Sequence, residues 1–182
     1  MPYNIVLDFE TTGVNPLKDL PVQAACAVYD SNGKELEYWA PLIYPKIPID
    51  PGAEKVHGIS EEILKVKGIS LAGFSENWHQ LIWKYRSVNI LGYNIINFDY
   101  IILQRVLGEN KEGKFKYPPV EKIVDVMFLA QRFFKMRGWP RLQEAVNRLG
   151  IPHDPDAFHD ALYDVRSTWK VYHKLIRGGK KK

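Results

Sequence analysis

The chain has 182 residues, 46% of them hydrophobic and 25% charged, which is typical of a globular domain with a buried core. No apolar run approaches the roughly 20 residues of a membrane span, and the first residues lack the pattern of a signal peptide, so we expect no membrane association. The single cysteine, Cys26, excludes an internal disulfide and predicts a cytoplasmic, intracellular protein. The net charge of +4 favours polyanionic partners.

Five strands are predicted from apolar patterns bounded by turn residues. The second and third flank the turn Asp30–Gly33, which predicts a β-hairpin. In chain order, the predicted strands cover residues 3–10, 22–30, 34–44, 87–93 and 121–126. The proline- and glycine-rich segment 44–60 is expected to be an ordered loop.

Helices are predicted between and after these strands. A short helix begins at Ser60, and apolar residues at helical spacing predict the later helices, which cover residues 74–85, 98–107, 127–134, 142–149 and about 160–176. Three early strands followed by helix–strand alternation predict a mixed α/β sheet flanked by helices. Residues 1–177 are expected to form one domain, and residues 178–182 a disordered basic tail.

Asp8 and Glu10 lie two residues apart on the first predicted strand, so their side chains leave the same face. Such a pair repels by roughly 4 kcal/mol at an effective dielectric of 20. Alone, the pair fits a solvated strand end as well as a cation site. Thr11, Thr12 and Gly13 follow directly and predict a tight turn whose backbone N–H groups suit a phosphate or a nucleotide.

More candidate ligands follow later in the chain. Asp99 opens a predicted helix, as either a helix cap or a metal ligand, and Asn94 before it either makes a turn or orients a ligand. His159 and Asp164 are five residues apart, a rotation of about 140° on a continuous helix. They converge only if His159 lies in the loop before the helix. Hard oxygen ligands with one base that titrates near neutrality are what two-metal phosphodiester hydrolysis requires.

Three motifs resemble those of the DEDDh 3′→5′ exonucleases, the DnaQ-like branch of the RNase H-like fold. The family's D-x-E-T-T-G motif matches Asp8–Gly13, and its H-x-A-x-x-D motif matches His159–Asp164. The second motif, usually H-N-x-x-F-D, differs here because Tyr93 replaces the histidine and one extra residue separates Asn94 from the following Phe-Asp pair. This longer form is similar to that of the bacterial exonuclease I group, which degrades single-stranded DNA. The likeness covers nearly the whole chain.

The resemblance implies a mixed five-stranded RNase H-like sheet and a role for each of five residues. Asp8, Glu10 and Asp164 would hold one divalent ion, and Asp8 would share a second ion with Asp99. His159 would take a proton from the attacking water. Oxygen ligands suit Mg²⁺ or Mn²⁺ better than zinc, so two Mg²⁺ ions are the expected cofactors.

Substrate contacts are expected from residues near these motifs. His57, in a V-H-G-I segment that resembles one near the terminal nucleotide in the family, is either a substrate contact or a loop residue. Phe98 forms either a wall against a base or part of the core. The remaining expected substrate-binding residues are Thr11, Thr12, Gly13 and Asn94.

Aromatic residues fall into two groups with different interpretations. Four tryptophans at positions with a buried pattern are expected in the core, namely Trp39, Trp78, Trp83 and Trp169. A later group alternates with basic residues and forms either a single-strand binding surface or a solvated face; its members are Arg132, Phe133, Phe134, Lys135, Arg137, Trp139 and Arg141.

The combined pattern predicts a metal-dependent enzyme that removes nucleoside 5′-monophosphates from the 3′ end of single-stranded DNA. Three alternatives remain open: an RNA exonuclease, a subunit that acts beside a polymerase or repair partner, and a non-catalytic nucleic-acid-binding module. DNA is favoured over RNA, although recognition of the 2′-hydroxyl would decide between them. A binding module tolerates loss of an acid or of the histidine, but all five positions are filled here.

Overall fold

The structure, a computed structural model, describes residues 2–108 and 120–178, and the described part contains a mixed five-stranded sheet. The strands are β1 (Tyr3–Thr11), β2 (Pro21–Tyr29), β3 (Glu35–Trp39), β4 (Val88–Gly92) and β5 (Val120–Asp125). They lie in the order β3-β2-β1-β4-β5, with β1–β2 and β2–β3 antiparallel and β1–β4 and β4–β5 parallel. The predicted hairpin and mixed sheet are confirmed.

Seven α-helices accompany the sheet in the described part of the chain. They are α1 (Pro51–His57), α2 (Glu61–Lys67), α3 (Leu71–Tyr85), α4 (Asp99–Leu107), α5 (Val126–Phe134), α6 (Leu142–Arg148) and α7 (Ala161–Gly178). A short 3₁₀ turn at Pro155–Ala157 precedes α7. Among the described residues, no helix has the length and apolar character needed to cross a membrane.

Alternate residues of β1 face the two helical layers. Ile5, Leu7 and Phe9 pack into a core with α3 and α4, whereas Val6 packs into a second core with α7. Because side chains alternate along a strand, Asp8 and Glu10 project toward the layer that contains α7. A third apolar cluster joins α5 and α6 to α7, so these three helices cover the same face of the sheet.

Helix α1 corrects the prediction of a loop over residues 44–60. The Asp50 carboxylate caps this helix by accepting from Gly52 N at 2.8 Å, Pro51 occupies its first position, and Gly58 closes it at a φ of 70°. Each of these is a recognised end signal, but the helix has only seven residues, none of them buried, and therefore leaves no apolar periodicity.

Three other expectations meet different outcomes. Strand β3 ends at Trp39 rather than continuing to residue 44, because Pro41 cannot donate to a regular ladder. Trp83 is 54% exposed on α3, so its predicted burial was wrong, while Trp78 and Trp169 lie in the core as predicted. Residue 178 ends α7, and the remaining predicted tail, residues 179–182, lies outside the described residues.

The parallel strands bring three loops to one edge of the sheet. Val6 pairs with Leu91 between β1 and β4, and Gly92 pairs with Asp125 between β4 and β5. The C-terminal ends of these strands therefore lie side by side, at the edge where β1 carries Asp8 and Glu10. This edge is where an open α/β sheet places ligands.

Candidate active site

Three carboxylates from two distant parts of the chain meet at this edge. Asp8 and Glu10 of β1 and Asp164 of α7 each offer one oxygen, and these oxygens lie within 4.8 Å of one another. Asp164 Oδ2 accepts a hydrogen bond from His159 N at 3.3 Å. Asp164 Oδ1 is buried and has no hydrogen-bond partner in the described part of the chain. The geometry therefore leaves a buried acceptor facing two further acids.

Asp99 adds a fourth acid against the same strand. It is the first residue of α4, is 3% exposed, and accepts from Phe9 N through Oδ1 at 3.0 Å. Because Phe9 lies between Asp8 and Glu10, this bond fixes Asp99 beside both carboxylates. Asp99 does not cap its own helix, since its carboxylate contacts the strand instead.

The four acids repel one another in a poorly solvated place. Burial is the largest cause of the raised pKa of each carboxyl group, which rises to about 8 for Glu10, about 7 for Asp99 and about 6 for Asp164. Burial followed by repulsion from Asp99 and Asp164 places the pKa of Asp8 well above its usual range. No Lys or Arg of the described ranges forms an ion pair with these acids.

The donor set fits a hard divalent cation. All of the converging ligands are carboxylate oxygens, which Mg²⁺ and Mn²⁺ prefer. Asp164 Oδ1 is also a buried acceptor with no donor among the described residues, as a metal ligand is before its ion binds. Asp8, Glu10 and Asp164 would hold such an ion, with Asp99 next to Asp8.

His159 lies in the turn before α7, as its spacing from Asp164 required. It is exposed and has a φ of 72°, while Asp164 lies in the first turn of the helix. The backbone N–H of His159, rather than its ring, donates to Asp164. His159 and His57 both line a cavity of about 540 Å³ with Lys55, Asp160 and Tyr163.

The turn Thr11–Gly13 is fixed by Asp19. The Asp19 carboxylate accepts from Thr12 Oγ1 at 3.1 Å and from Asn15 N at 2.7 Å. It lies so close to Gly13 that a Cβ there would come within 2.6 Å of an Asp19 oxygen, so a larger residue would displace this carboxylate. Thr12 N donates to Leu20 O at 2.9 Å and is therefore not available to a phosphate.

Arg105 of α4 braces the loop between β1 and β2 from the far side. Its guanidinium donates to the carbonyl oxygens of Pro16, Asp19 and Lys18 at 2.6, 2.8 and 3.2 Å. Sequence reasoning missed both Asp19 and Arg105. A carboxylate between an Asn-Pro turn and a strand is a weak signal, and the contact of Arg105 spans more than 85 residues, which no local pattern reports.

A second cavity, of about 290 Å³, lies beside Glu10. Phe98 lines it together with Thr11, Val14, Val56 and His57. Val14 is 89% exposed, so it presents an apolar surface at the rim. Phe98 therefore reaches the cavity as well as the core, and both interpretations of it describe part of its surroundings.

His57 uses both ring nitrogens for hydrogen bonds to the backbone. Nδ1 accepts from Ile59 N at 3.0 Å, so Nε2 carries the proton and donates to Thr11 O at 3.2 Å. Burial is the main cause that lowers the pKa of His57, which agrees with a neutral ring. A hydrogen bond from His57 to a phosphate would have to replace one of these contacts.

Asn94 is a turn residue with a φ of 62°, held by Asp125. The Asp125 carboxylate accepts from Asn94 N and Ile96 N at 3.1 and 3.2 Å, and it caps α5 by accepting from Met127 N at 3.0 Å. Asp125 also shapes the loop that leads to Asp99, a role that the sequence did not indicate.

Comparison with known proteins identifies relatives of the whole fold. E. coli exonuclease I in complex with a dT13 oligonucleotide superimposes with a TM-score of 0.79 and 26% identity, covering 97% of this chain and 41% of that one. Its zinc-bound complex with single-stranded DNA gives 0.80 at 26% identity, covering 98% and 41%.

Sequence relatives include replication proteins. The PolC-type DNA polymerase III of Thermotoga petrophila is 29% identical over 97% of this chain and 12% of its own length. The DNA polymerase III epsilon subunit of Pasteurella multocida is 27% identical, covering 96% of this chain and 68% of the subunit. The chain thus spans less than half of exonuclease I and about an eighth of the PolC-type polymerase.

A protein-family model matches most of the chain. The RNase_T model, described as an exonuclease, matches residues 5–172. The fold is RNase H-like, and the family uses divalent metal ions, in agreement with the acidic cluster at the sheet edge. The chain therefore belongs to the RNase_T exonuclease family, a DnaQ-like family of hydrolases, and it is related to exonuclease I and to polymerase III epsilon subunits.

Proposed function

We propose that this chain hydrolyses phosphodiester bonds from the 3′ end of single-stranded DNA and releases nucleoside 5′-monophosphates, with two Mg²⁺ ions as cofactors. The observation that carries the proposal is the convergence of Asp8, Glu10 and Asp164 within 4.8 Å, with Asp99 held beside them through Phe9 N. The likeness to an exonuclease I bound to dT13 supports single-stranded DNA as the substrate.

The two cavities would have different roles, one in binding the terminal nucleotide and the other beside the general base. The terminal nucleotide would occupy the 290 Å³ cavity, with its base against Phe98 and Val14 and its sugar near Glu10 and Thr11. This leaves the scissile phosphate above the carboxylates. Divalent ions, when bound there, stabilise charge on the attacking and leaving oxygens.

His159 would act as the general base. His159 lies on an exposed turn whose amide bonds to Asp164, and it lines the 540 Å³ cavity. The ring would accept a proton from the attacking water and pass it to solvent. The backbone of His159 is left-handed, and its amide fixes the turn to the helix that carries Asp164.

Strand polarity and sugar preference provide the direct test. Matched DNA and RNA oligonucleotides, labelled at either end, would be incubated with Mg²⁺ or with a chelator. We expect stepwise shortening of DNA from the 3′ end, with mononucleotide products, only when Mg²⁺ is present. Shortening from the 5′ end, internal cuts, a preference for RNA, or intact strands with bound protein would each contradict the proposal.

A second candidate function is proofreading beside a polymerase, which the similarity to an epsilon subunit and to PolC-type polymerases favours. The proposed chemistry is the same, but the isolated chain would be nearly inactive on free strands. Adding a replicative polymerase with a mismatched primer end would then raise excision. A rate on free strands that the polymerase leaves unchanged would reject this role.

A further inference from the structure

One segment of the chain concentrates positive charge next to exposed aromatic rings. Residues 126–143 contain four cations and no Asp or Glu, so this segment alone equals the net charge of +4 of the whole chain. We call these cations and two nearby rings the aromatic–basic patch, which consists of Phe128, Arg132, Lys135, Arg137, Trp139 and Arg141.

The patch presents a rigid aromatic surface. Trp139 is 56% exposed, and its ring lies 4.9 Å from that of Phe128 at an angle of 35°. The neighbouring Pro140 is buried, and its carbonyl accepts from Tyr93 Oη at 2.8 Å. The tryptophan is therefore held in place by two elements, and little conformational freedom remains to be lost when a ligand stacks on it.

The cations of the patch are not neutralised. None of the four forms an ion pair with another residue in ranges 2–108 and 120–178. Glu144 lies near Tyr93 but is already paired with Arg148 at 2.8 Å. Unpaired cations around an aromatic face complement a single strand, whose phosphates are anionic and whose bases stack.

The fold places Phe128 and Trp139 of the patch near the catalytic edge of the sheet. Phe128 lies in the first turn of α5, directly after β5, and Asp125 at that strand end pairs with Gly92. Two strand spacings separate β1 from β5, which is about 10 Å. Helix α5 also covers the face toward which Asp8 and Glu10 project.

The direction in which bound nucleic acid would run follows from the same geometry. The cavity proposed for the terminal nucleotide lies on the α1 side of the carboxylates, where Asp50 N donates to Thr12 O. A single-stranded nucleic acid whose 3′ end lies in that cavity, and which crosses the carboxylates, would continue toward β5. Tyr93, at the start of the loop that leads to Asp99, donates to the carbonyl of Pro140, the residue that follows Trp139.

We propose that the aromatic–basic patch binds the single-stranded nucleic acid on the 5′ side of the scissile bond, with a base stacked on Trp139 and phosphates near Arg137 and Arg141. The patch is a binding surface separate from the carboxylates, and this inference rests on the proposed function.

The test compares a substrate that reaches the patch with one that cannot. An oligonucleotide of about ten nucleotides spans a surface of this size, whereas the 4-nitrophenyl ester of thymidine 5′-monophosphate occupies only the catalytic site. In Trp139→Ala, we expect KM for the oligonucleotide to rise by roughly 5- to 100-fold, the loss of one stacked base. KM and kcat for the ester stay at parental values, and Trp139→Phe restores most of the oligonucleotide affinity.

Trp83→Ala is the matched control. Trp83 is equally exposed, at 54%, but it lies near the end of α3, where Tyr85 contacts Tyr3 at the opposite edge of the sheet. We expect this variant to keep parental constants for both substrates. Arg137→Gln should lower the salt dependence of oligonucleotide binding by about one unit of slope.

Each result supports or overturns the proposal that the patch binds single-stranded nucleic acid. Unchanged oligonucleotide KM in Trp139→Ala, or equal losses on both substrates, would overturn it. Failure of the parent to cleave either substrate would overturn the proposed function instead. Equilibrium binding of the labelled oligonucleotide in chelator still tests the patch in that case, because it needs no turnover: weaker binding by Trp139→Ala but not by Trp83→Ala supports it, and equal binding rejects it.

Discussion

Helix α7 carries two charged side chains, two residues apart, that have opposite surroundings. Arg166 makes a bidentate ion pair with Glu35 of β3, with N–O distances of 3.1 and 2.7 Å. The hydrogen bonds from Arg166 are the main cause that lowers the pKa of Glu35. Asp164 faces Asp8 and Glu10, and burial raises its pKa. Within ranges 2–108 and 120–178, Glu35 has a cationic partner, whereas Asp8, Glu10 and Asp164 have none.

This difference distinguishes a carboxylate that stabilises the fold from carboxylates that are suited to bind a metal ion. The Glu35–Arg166 pair is complete within the protein, so binding another ion there would bring no gain. The Asp8–Glu10–Asp164 cluster is incomplete, and a divalent cation relieves the repulsion while it satisfies Asp164 Oδ1. Unpaired buried acids are therefore the better sign of function, because structural acids are expected to be neutralised internally.

Replacement of one unpaired acid tests the comparison most severely. In Asp164→Asn, we expect activity to fall to background, because a ligand charge is lost where three oxygens converge. The metal-free protein should melt at a higher temperature, because repulsion is reduced, and Mg²⁺ should no longer raise that temperature. Thermal melting with and without Mg²⁺ measures both effects, and an unchanged Mg²⁺ response would disprove the metal assignment.

Removal of the imidazole is expected to have the next largest effect. His159→Ala should lower turnover by about 10²–10⁴-fold, the range for loss of a general base. Mg²⁺ should still stabilise this variant, because His159 contributes only its backbone N–H to the acid cluster. Single-turnover cleavage measures the rate, and a value near that of the parent would reject the role.

The raised pKa values predict a dependence of stability on pH. Glu10, with a pKa of about 8, binds a proton more tightly in the folded state than in the unfolded state, where its pKa is near 4.5. Its contribution to the free energy of unfolding is therefore full below about pH 4 and is lost as the pH rises through about 8.

Denaturant unfolding of the metal-free parent and of Glu10→Gln, at several pH values, measures this contribution. We expect the free energy of unfolding of the parent to fall relative to that of the variant as the pH rises, and Mg²⁺ to remove the difference. Parallel pH profiles without metal would show that Glu10 is not perturbed.

The paired acid should respond least. Glu35→Gln loses an ion pair whose members are 28% and 40% exposed, so we expect a loss of about 0.5 kcal/mol or less in the free energy of unfolding. Activity and the Mg²⁺ response should equal those of the parent. A large loss of activity would mean that the pairing of Arg166 on α7 also matters for the site, and the contrast with Asp164 would fail.

The sequence predicted the elements that leave strong local signals. The order of strands along the chain, the loop position of His159 and the opening of α4 at Asp99 all follow from periodicity, spacing and turn residues. The resemblance to the family placed Asp8, Glu10 and Asp164 in one site, and the structure brings their oxygens together.

The remainder depends on contacts between distant residues. Asp125 bonds to Asn94, Arg105 bonds to the loop that follows Gly13, and Trp83 lies on the outer side of α3 although its neighbours suggested burial. None of these follows from residues nearby in sequence, since each depends on how separate elements pack. The functional roles of the site residues stay predictions until the experiments above are made.

The three hydrogen bonds from Arg105 limit which residues can occupy position 105. One planar fork satisfies three carbonyl oxygens in a loop that has little apolar anchoring, since Val14 and Leu17 are 89% and 70% exposed. Lysine carries the same charge but lacks the fork, so the two residues are not interchangeable there. The rim of the 290 Å³ cavity beside Glu10 thus depends on a residue of α4, so a substitution at position 105 would change the shape of that rim while every acid stayed in place.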